Sequence, residues 1–530
     1  MKSKKLKIGF LINSDGLMPA WYAETIQSVI AEGVHEIFFI ECRLPQQESK
    51  KNWPWAYKAF KHFENAWFGP KFDASEKISL NSFTQVQKIG SEAPGFILNK
   101  DASSRVLELS LDLIYTIDYD GSGEENLSGL ASFGLWYLSF GNSDSPGPTA
   151  FWEVMRSDPV TCSRLLMKTK DQHYLLYDGA TATVPHSVKN NFNSIAWKSS
   201  SYLVHRLRSL SLLHDQFSDH FSIVKTKKTE EILPGSLDML SLFFKNNLRY
   251  LAHRKRLKNK DRFTLLYAFE DFQIGKNLPA HFQSLSLPPG CFFADPFLVK
   301  ENNVHYVFFE RWYDKEEKAS IAMMKWNGDE WSSPETVLEE SYHLSYPFVF
   351  KWNDDYYLLP ESSSGQNLVL YKAKSFPYQW EPVRKIFDKG VWIDASLHYY
   401  ENKWWLFASS VNHPFVSTND QLFLYFTDDL LNGSWQAHPK NPLVTHAGNC
   451  RPAGRLFEMN GQLYRPAQNN ASQQYGYGLK INRVDVMNET EYREKEVRDF
   501  TPEPWHLKAI HHLDFTEGLV MIDGILKSGV

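Results

Sequence analysis

Cysteine is scarce. The 530 residues include four, Cys42, Cys162, Cys291 and Cys450, far apart and with no C-x-x-C pair. This excludes a disulfide framework and a cysteine zinc site, and it points to a reducing compartment. Long hydrophobic runs are missing too: no stretch approaches the roughly 18 to 20 apolar residues of a membrane span. Behind the basic N-terminus the apolar run extends only from Ile8 to Ile12, too short for a signal-peptide core and read as a strand. A cytoplasmic protein is expected. There is no excess of positive charge: 57 basic against 62 acidic residues give a net charge of -5, so no global field exists to hold nucleic acid. No D-x-D-x-D-G loop demands a metal, no motif names a cofactor, and nothing bears on oligomeric state. Aromatic residues, by contrast, are plentiful at 15%, with 17 Trp and 25 Tyr, which suits β-structure and stacking on sugar rings.

A length of 530 residues predicts two to four domains at roughly 150 residues each. Up to residue 213, short apolar runs (KIGFLI, EIFFIE, LDLIYTID, GLWYLSF) alternate with helix-like stretches such as Ala20 to Ala31 and Ser199 to Leu213. That rhythm predicts an α/β domain with a largely parallel sheet over 1–213. Residues 214–262 read as a basic helical linker. Within 237–260, Leu237, Leu240, Leu242, Phe243, Leu248 and Leu251 recur at helical spacing beside Lys245, Arg249, Arg254 and Lys255. Such a helix either packs as a solvated connector or touches anionic lipid as a peripheral anchor at the inner face of a membrane.

From 263 to 530 the texture changes to strands and turns, and the segments repeat. ADPFLVKENNVHYVFFER, SYPFVFKWNDDYYLLPES, IDASLHYYENKWWLFASS and PAGRLFEMNGQLYRPAQN share one plan of apolar strand, polar turn and aromatic strand. In each, a marker (Asp295, Tyr346, Asp394, Ala453) precedes an aromatic (Tyr306, Tyr357, Trp405, Tyr464) by eleven positions. Successive markers lie 51, 48 and 59 residues apart, and a further 59 reaches His512 in HHLDFTEGLVMIDG. Five units of this size predict a five-bladed β-propeller whose inner strands line a central channel.

The marker column should converge on one mouth of that channel. It offers Asp295, Tyr346 and Asp394, then the neighbourhoods of Arg451 and His512, while a second column fifteen positions on holds Glu310, Glu361, Ser409 and Gln468. Paired carboxyl groups across a sugar-sized gap suit glycosidic chemistry, one as acid and one as base or nucleophile. The assignment is Asp295, Asp394 and Glu361 as catalytic residues, with Tyr346, Arg451, Arg455, His511, His512 and Glu310 contacting substrate. Arg451, Arg455 and Arg465 can each grip a carboxylate or phosphate. Asp295 before a proline also suits a strand end, Glu310 beside Arg311 a plain ion pair, and Trp404, Trp405, Tyr356 and Tyr357 blade core.

The segments FFADPF, SYPF, LLPES, WIDASLH, CRPAGRLF and HHLDF resemble the propeller domain at the N-terminus of plant glucosamine inositolphosphorylceramide transferases, itself similar to family 43 glycoside hydrolases and invertases. In those hydrolases a first-blade aspartate is the base, a second aspartate orients and a glutamate is the acid. The resemblance therefore implies that Asp295 is the base. Tyr346 departs from it, standing where a second-blade aspartate belongs; Asp394 appears one blade later, and Glu361 is the acid candidate. A biosynthetic role on a sugar, nucleotide-sugar or glycolipid substrate follows more readily than hydrolysis.

The segment GLWYLSFGNSDSPGPTAFWEVMRSDPVT resembles the methionyl-tRNA formyltransferase group. That family uses an Asn-x-His pair and a later Asp. Here Tyr137 and Ser139 stand at the pair, and Asp171 or Asp178 are candidates for the acid. The resemblance implies a formyltransferase-like fold that has lost its proton carrier yet keeps a ligand crevice. Two alternatives to a glycosidic enzyme stand beside it: a non-catalytic sugar-binding module, and a sugar N-formyltransferase whose propeller recognises substrate.

Overall fold

The computed structural model describes residues 5–13, 16–42, 54–69, 72–83, 86–90, 100–116, 127–142, 149–213, 217–218, 221–225, 234–258, 262–411, 416–471 and 475–527. The chain divides into two compact units, Met1–His253 with Phe415–Ser417, and Arg254–Pro414 with Thr418–Val530.

The first unit is α/β. Its eight-stranded sheet runs in the order Ser222–Val224, His173–Ala182, Val160–Lys168, Leu135–Phe140, Leu113–Thr116, Lys7–Asn13, Glu36–Cys42, Gln87–Gly90. The last five strands are parallel, as the βα rhythm predicts. The other three are antiparallel, so the sheet is mixed rather than largely parallel. For the central one of these pairings the reason is local: four residues, 169–172, join Val160–Lys168 to His173–Ala182, and a turn that short permits only an antiparallel pair. Ile8, Phe10, Tyr115, Trp136 and Leu165 from the sheet pack with Ile26, Leu203 and Leu207 from helices Ala20–Ala31 and Tyr202–Leu213.

The segment 214–262 is divided differently from the expected linker. Ser222–Val224 is the edge strand of the first sheet, and the helix runs from Ser236 to Lys258. Positions 259–260 of the expected helix, like 143–148 of the formyltransferase-like motif, lie outside the described residues.

In the second unit, five four-stranded antiparallel sheets form a propeller. Blades 1 to 4 begin with inner strands Cys291–Glu301, Ser345–Trp352, Trp392–Tyr400 and Phe457–Met459. Blade 5 takes Leu507–Thr516 and Leu519–Leu526 from the end of the unit and Phe263–Ala268 and Gln283–Ser284 from its beginning. Phe263–Ala268 pairs antiparallel with Leu519–Leu526, which closes the ring.

Two devices produce the eleven-residue register. Each inner strand joins its neighbour through a two-residue hairpin, at Asn302–Asn303, Asn353–Asp354, Glu401–Asn402, Asn460–Gly461 and Glu517–Gly518. In the first four both turn residues have positive φ, the geometry of a type I′ turn that matches strand twist. Upstream lies a bulge, with two residues on the inner strand against one on the partner: Asp295–Pro296, Tyr346–Pro347, Asp394–Ala395 and His511–His512. At Asp295, Tyr346 and Asp394 φ is 53°, 44° and 50°. For a side-chain-bearing residue this conformation costs about 1 to 2 kcal/mol.

Arg455 clamps four blades. Its Nε and Nη2 donate to Asp514 Oδ1 and Oδ2 at 2.7 and 2.8 Å, and its other donors reach the carbonyls of Leu298 and Val349. Asp514 Oδ2 also accepts the Leu298 N–H at 2.7 Å. With its guanidinium committed in this way, Arg455 is a structural clamp and not the substrate anchor expected. Arg455→Met is expected to lower unfolding free energy by about 3 to 5 kcal/mol, since it strands the buried Asp514 carboxylate without its partner. Urea denaturation checks it.

Candidate functional site

The bulges aim the marker side chains off the alternating pattern and bring the two columns together. The residue before each bulge pairs across the hairpin with the second column: Ala294 with Glu310, Ser345 with Glu361, Ile393 with Ser409. Asp295, Asp394, Glu361 and Glu310 thus meet at one end of the inner strands, each between 1% and 7% exposed.

Backbone amides stitch these acids from blade to blade. The N–H of Asp295 donates to Asp523 Oδ2 at 3.0 Å, that of Tyr346 to Asp295 Oδ2 at 3.3 Å and that of Asp394 to Glu361 Oε2 at 3.2 Å. Asp394 is held on a second side by Arg451, whose Nε lies 2.6 Å from Oδ2, and by Gln468 Nε2 at 2.9 Å from the same oxygen. Arg451 also donates to Asn419 Oδ1 at 3.0 Å, and its guanidinium lies 5.0 Å from the Tyr475 ring centre.

Their surroundings divide the acids. Burial pushes Glu361 well above the usual carboxyl range, and the neighbouring Asp394 charge adds to that, against an opposing pull from Arg451. Ser363 Oγ donates to Glu361 Oε1 at 2.8 Å. Asp295 goes the other way: burial raises it, but His512, His511 and Arg451 outweigh burial and hold it below the ordinary range. Burial also raises Glu310, helped by the Asp295 charge, although His343 Nε2 lies 3.1 Å from its Oε1. A cleft of about 550 Å³, lined by Lys318, Glu339, Tyr342, His343 and Ser364 among others, reaches this pair at His343.

His511 and His512 share the bulge of blade 5, and both are buried. His511 Nδ1 lies 2.7 Å from Asp523 Oδ1, its Nε2 lies 3.6 Å from Asp295 Oδ1, and its ring stacks on Phe263 at 4.1 Å. Burial lowers the His511 pKa, but Asp523, Asp295 and Asp394 lift it from 6.5 to about 9. His512 Nδ1 is 3.6 Å from Asp295 Oδ1, too long for a hydrogen bond, and the ring packs edge-on to Phe297 and Tyr346. Among the described residues one group has metal-ligand spacing: atoms of Asp295, His511 and Asp523 lie within 4.8 Å of one another. A cation there would need His511 to give up its proton, against the two carboxylates that hold it.

Several assignments change. Tyr346, expected to touch substrate, is fully buried. Its hydroxyl meets Ser396 Oγ at 2.8 Å, donates to the Gly454 carbonyl at 3.1 Å and accepts the Gly454 N–H at 2.8 Å, bolting blades 2, 3 and 4 together. The bolt needs glycine at 454, where φ is +130° and an added Cβ would sit 2.1 Å from the Leu513 carbonyl. Arg465 is also interior, paired with Glu494 at 2.6 Å. His512 is sealed behind aromatic rings. Tyr356, Tyr357, Trp404 and Trp405 are blade core. In the first unit Tyr137 is buried with its hydroxyl 3.0 Å from His173 Nδ1, and Asp178 pairs with Arg164 at 2.9 Å.

Three residues escaped the reading. Asp523 lies eleven positions after His512, so it breaks the aromatic column Tyr306, Tyr357, Trp405, Tyr464, and that break was the available signal. His343 and Tyr475 had none. Tyr475, 42% exposed, stands beside Arg451 and 5.3 Å from the His511 ring.

Because folding raises the His511 pKa, the stability this residue contributes is complete below pH 6.5 and is lost as pH rises through about 9. Glu361, raised as well, loses its contribution as pH rises through its folded pKa. Melting temperature is expected to fall on the alkaline side, and His511→Gln to make that fall shallower, checked by thermal melts across pH.

Residues 280–517 match the family model described as glucosamine inositolphosphorylceramide transferase 1, N-terminal. Glucosamine inositolphosphorylceramide transferase 1 of Oryza sativa subsp. japonica is 34% identical over 236 residues, 43% of this chain and 31% of that protein. The Arabidopsis thaliana protein is 32% identical over 237 residues, 43% of this chain and 30% of its own length. The matched stretch therefore spans about a third of these relatives. Among solved structures, the family 117 glycoside hydrolase Zg3597 of Zobellia galactanivorans aligns with a TM-score of 0.35 at 12% identity, covering 51% of this chain and 93% of its own. The GH62 α-L-arabinofuranosidase catalytic domain of Coprinopsis cinerea gives 0.34 at 14% identity, covering 44% and 90%. By sequence, the five-bladed propeller of this chain is thus similar, over residues 280–517, to the N-terminal domain of glucosamine inositolphosphorylceramide transferase 1.

Proposed function

We propose that the propeller acts on a carbohydrate substrate of the sugar, nucleotide-sugar or glycolipid class, and makes or breaks a glycosidic bond at the cluster around Asp295 and Glu361. The observation that carries this reading is the opposed surroundings of these two acids, one held below and the other well above the ordinary carboxyl range within one stitched set of blades. Carboxyl groups whose environments push their pKa values apart take acid and base roles. Asp295 serves as base or nucleophile and Glu361 as proton donor. Asp394 holds Arg451 in place, and Arg451 faces the anionic or hydroxyl-rich part of the substrate. Tyr475, half in solvent beside that guanidinium, is a platform for a sugar ring. The relatives' name, glucosamine inositolphosphorylceramide transferase 1, supports transfer to a glycolipid as the reaction class.

A specific observation favours the second reading, a sugar-binding module without chemistry: the acids are nearly buried, and Asp394 is saturated by Arg451 and Gln468. Formyl transfer draws no such support, since Tyr137 and Asp178 are committed to His173 and Arg164.

Wild type, Asp295→Asn and Glu361→Gln should be incubated with nucleotide sugars and oligosaccharides, products read by mass spectrometry and binding by calorimetry. Product from wild type with a drop of about 10²- to 10⁴-fold in each variant is expected. Equal sugar binding by all three proteins with no product from any would establish the binding module instead.

A further inference from the structure

Helix Ser236–Lys258 is apolar on two opposite sides. One side is packed: Met239 and Leu242 join Tyr57, Phe60, Phe151 and Val154 in a buried cluster, and Arg249 Nη1 donates to the carbonyls of Val154 and Pro185 at 2.9 Å each. The other side is not. Leu237, Leu240, Phe244, Leu248 and Leu251 follow one another at intervals of three or four residues, a continuous stripe, and each is between 56% and 82% exposed. The stripe widens at its edge, where Phe243 lies 5.0 Å from Phe63, and Phe63 stacks at 5.9 Å on Trp67, itself 64% exposed. A surface helix normally keeps charge on the face turned from its core, so this face calls for a partner.

Charge indicates which partner. Helix Ser236–Lys258 carries Lys245, Arg249, Arg254, Lys255, Arg256 and Lys258 against the single acid Asp238, in a chain whose net charge is -5. Lys245 and Lys255 are exposed beside the stripe. Large apolar side chains flanked by exposed lysines, with a tryptophan at the margin, form the pattern that lies in the plane of a bilayer surface, apolar groups among the acyl chains and lysines on anionic headgroups. A second copy of the helix would instead bring two positively charged segments together.

We infer that the exposed face of helix Ser236–Lys258, with Trp67 at its edge, docks this protein onto the surface of a membrane containing anionic lipid. Among the described residues no helix is long and apolar enough to cross a membrane, so the contact is peripheral. The inference goes beyond the sugar reading and does not rest on it: failure here would leave the propeller chemistry standing, and the reverse holds equally.

The full chain should be floated with vesicles of phosphatidylcholine, with and without phosphatidylserine, beside two paired variants on exposed positions, Phe244→Ser with Leu248→Ser and Leu240→Ser with Leu251→Ser. Circular dichroism confirms that each folds. Wild type is expected to float with the phosphatidylserine vesicles, and each variant pair to reduce the bound fraction by about tenfold or more. Lys245→Glu with Lys255→Glu should lower binding to the anionic vesicles alone. No flotation by wild type, or variants that float as wild type does, would overturn the inference. So would a wild-type dimer, seen by light scattering, that the stripe variants convert to monomer without any vesicle binding; that result would assign the face to a second copy.

Discussion

The propeller depends on one buried carboxylate. Asp523 stands opposite the bulge of blade 5, and its Oδ1 accepts the backbone N–H groups of His511 and His512 and faces His511 Nδ1, while Oδ2 accepts the N–H of Asp295 in blade 1. A bulge leaves backbone donors without ladder partners, and buried donors left unpaired are costly. One side chain satisfies three of them and, by reaching into blade 1, joins the last blade to the first. The same carboxylate raises the His511 pKa to about 9, and His512, His511 and Arg451 together hold the buried Asp295 below the ordinary carboxyl range. Ring closure and site electrostatics are therefore a single arrangement. The strained φ at Asp295, Tyr346 and Asp394 belongs to it as well, because those conformations turn three side chains toward the centre at the ends of strands that would otherwise alternate in and out.

How much of this was legible follows from which features fix a count and which fix a direction. A two-residue hairpin and a two-against-one bulge both fix the number of residues between landmarks, so marker and aromatic keep one interval in the sequence and the five blades could be read from it. Direction was hidden. Tyr346 occupies the marker column, and Arg455 and Arg465 stand two and twelve positions after the marker Ala453, yet all three side chains turn into the interior, where they satisfy Gly454, Asp514 and Glu494. Asp394 and Arg451 were both named, but nothing along the chain shows that two residues 57 apart close on each other. In the first unit alternating strands and helices revealed the layers, while the antiparallel pairing of Val160–Lys168 with His173–Ala182 depended on a connection too short for a crossover.

The long helix illustrates a separate limit. Helical periodicity shows that apolar residues share a face; it does not show how many faces are covered. Met239 and Leu242 account for the packed side, and the same periodic signal continues around the helix into a stripe that is exposed among the described residues. Its basic residues likewise divide, Arg249 turning to carbonyls of the first unit and Lys245 and Lys255 to solvent.

The strand Phe263–Ala268 that completes the fifth blade gives the propeller a property apart from its chemistry. Since Phe263–Ala268 and Leu519–Leu526 lie side by side, the ring begins and ends at one blade, and each of the other four sheets is built from strands consecutive in sequence. A ring built this way can be carried as a unit into chains of quite different length, with no blade redesigned to receive a new neighbour.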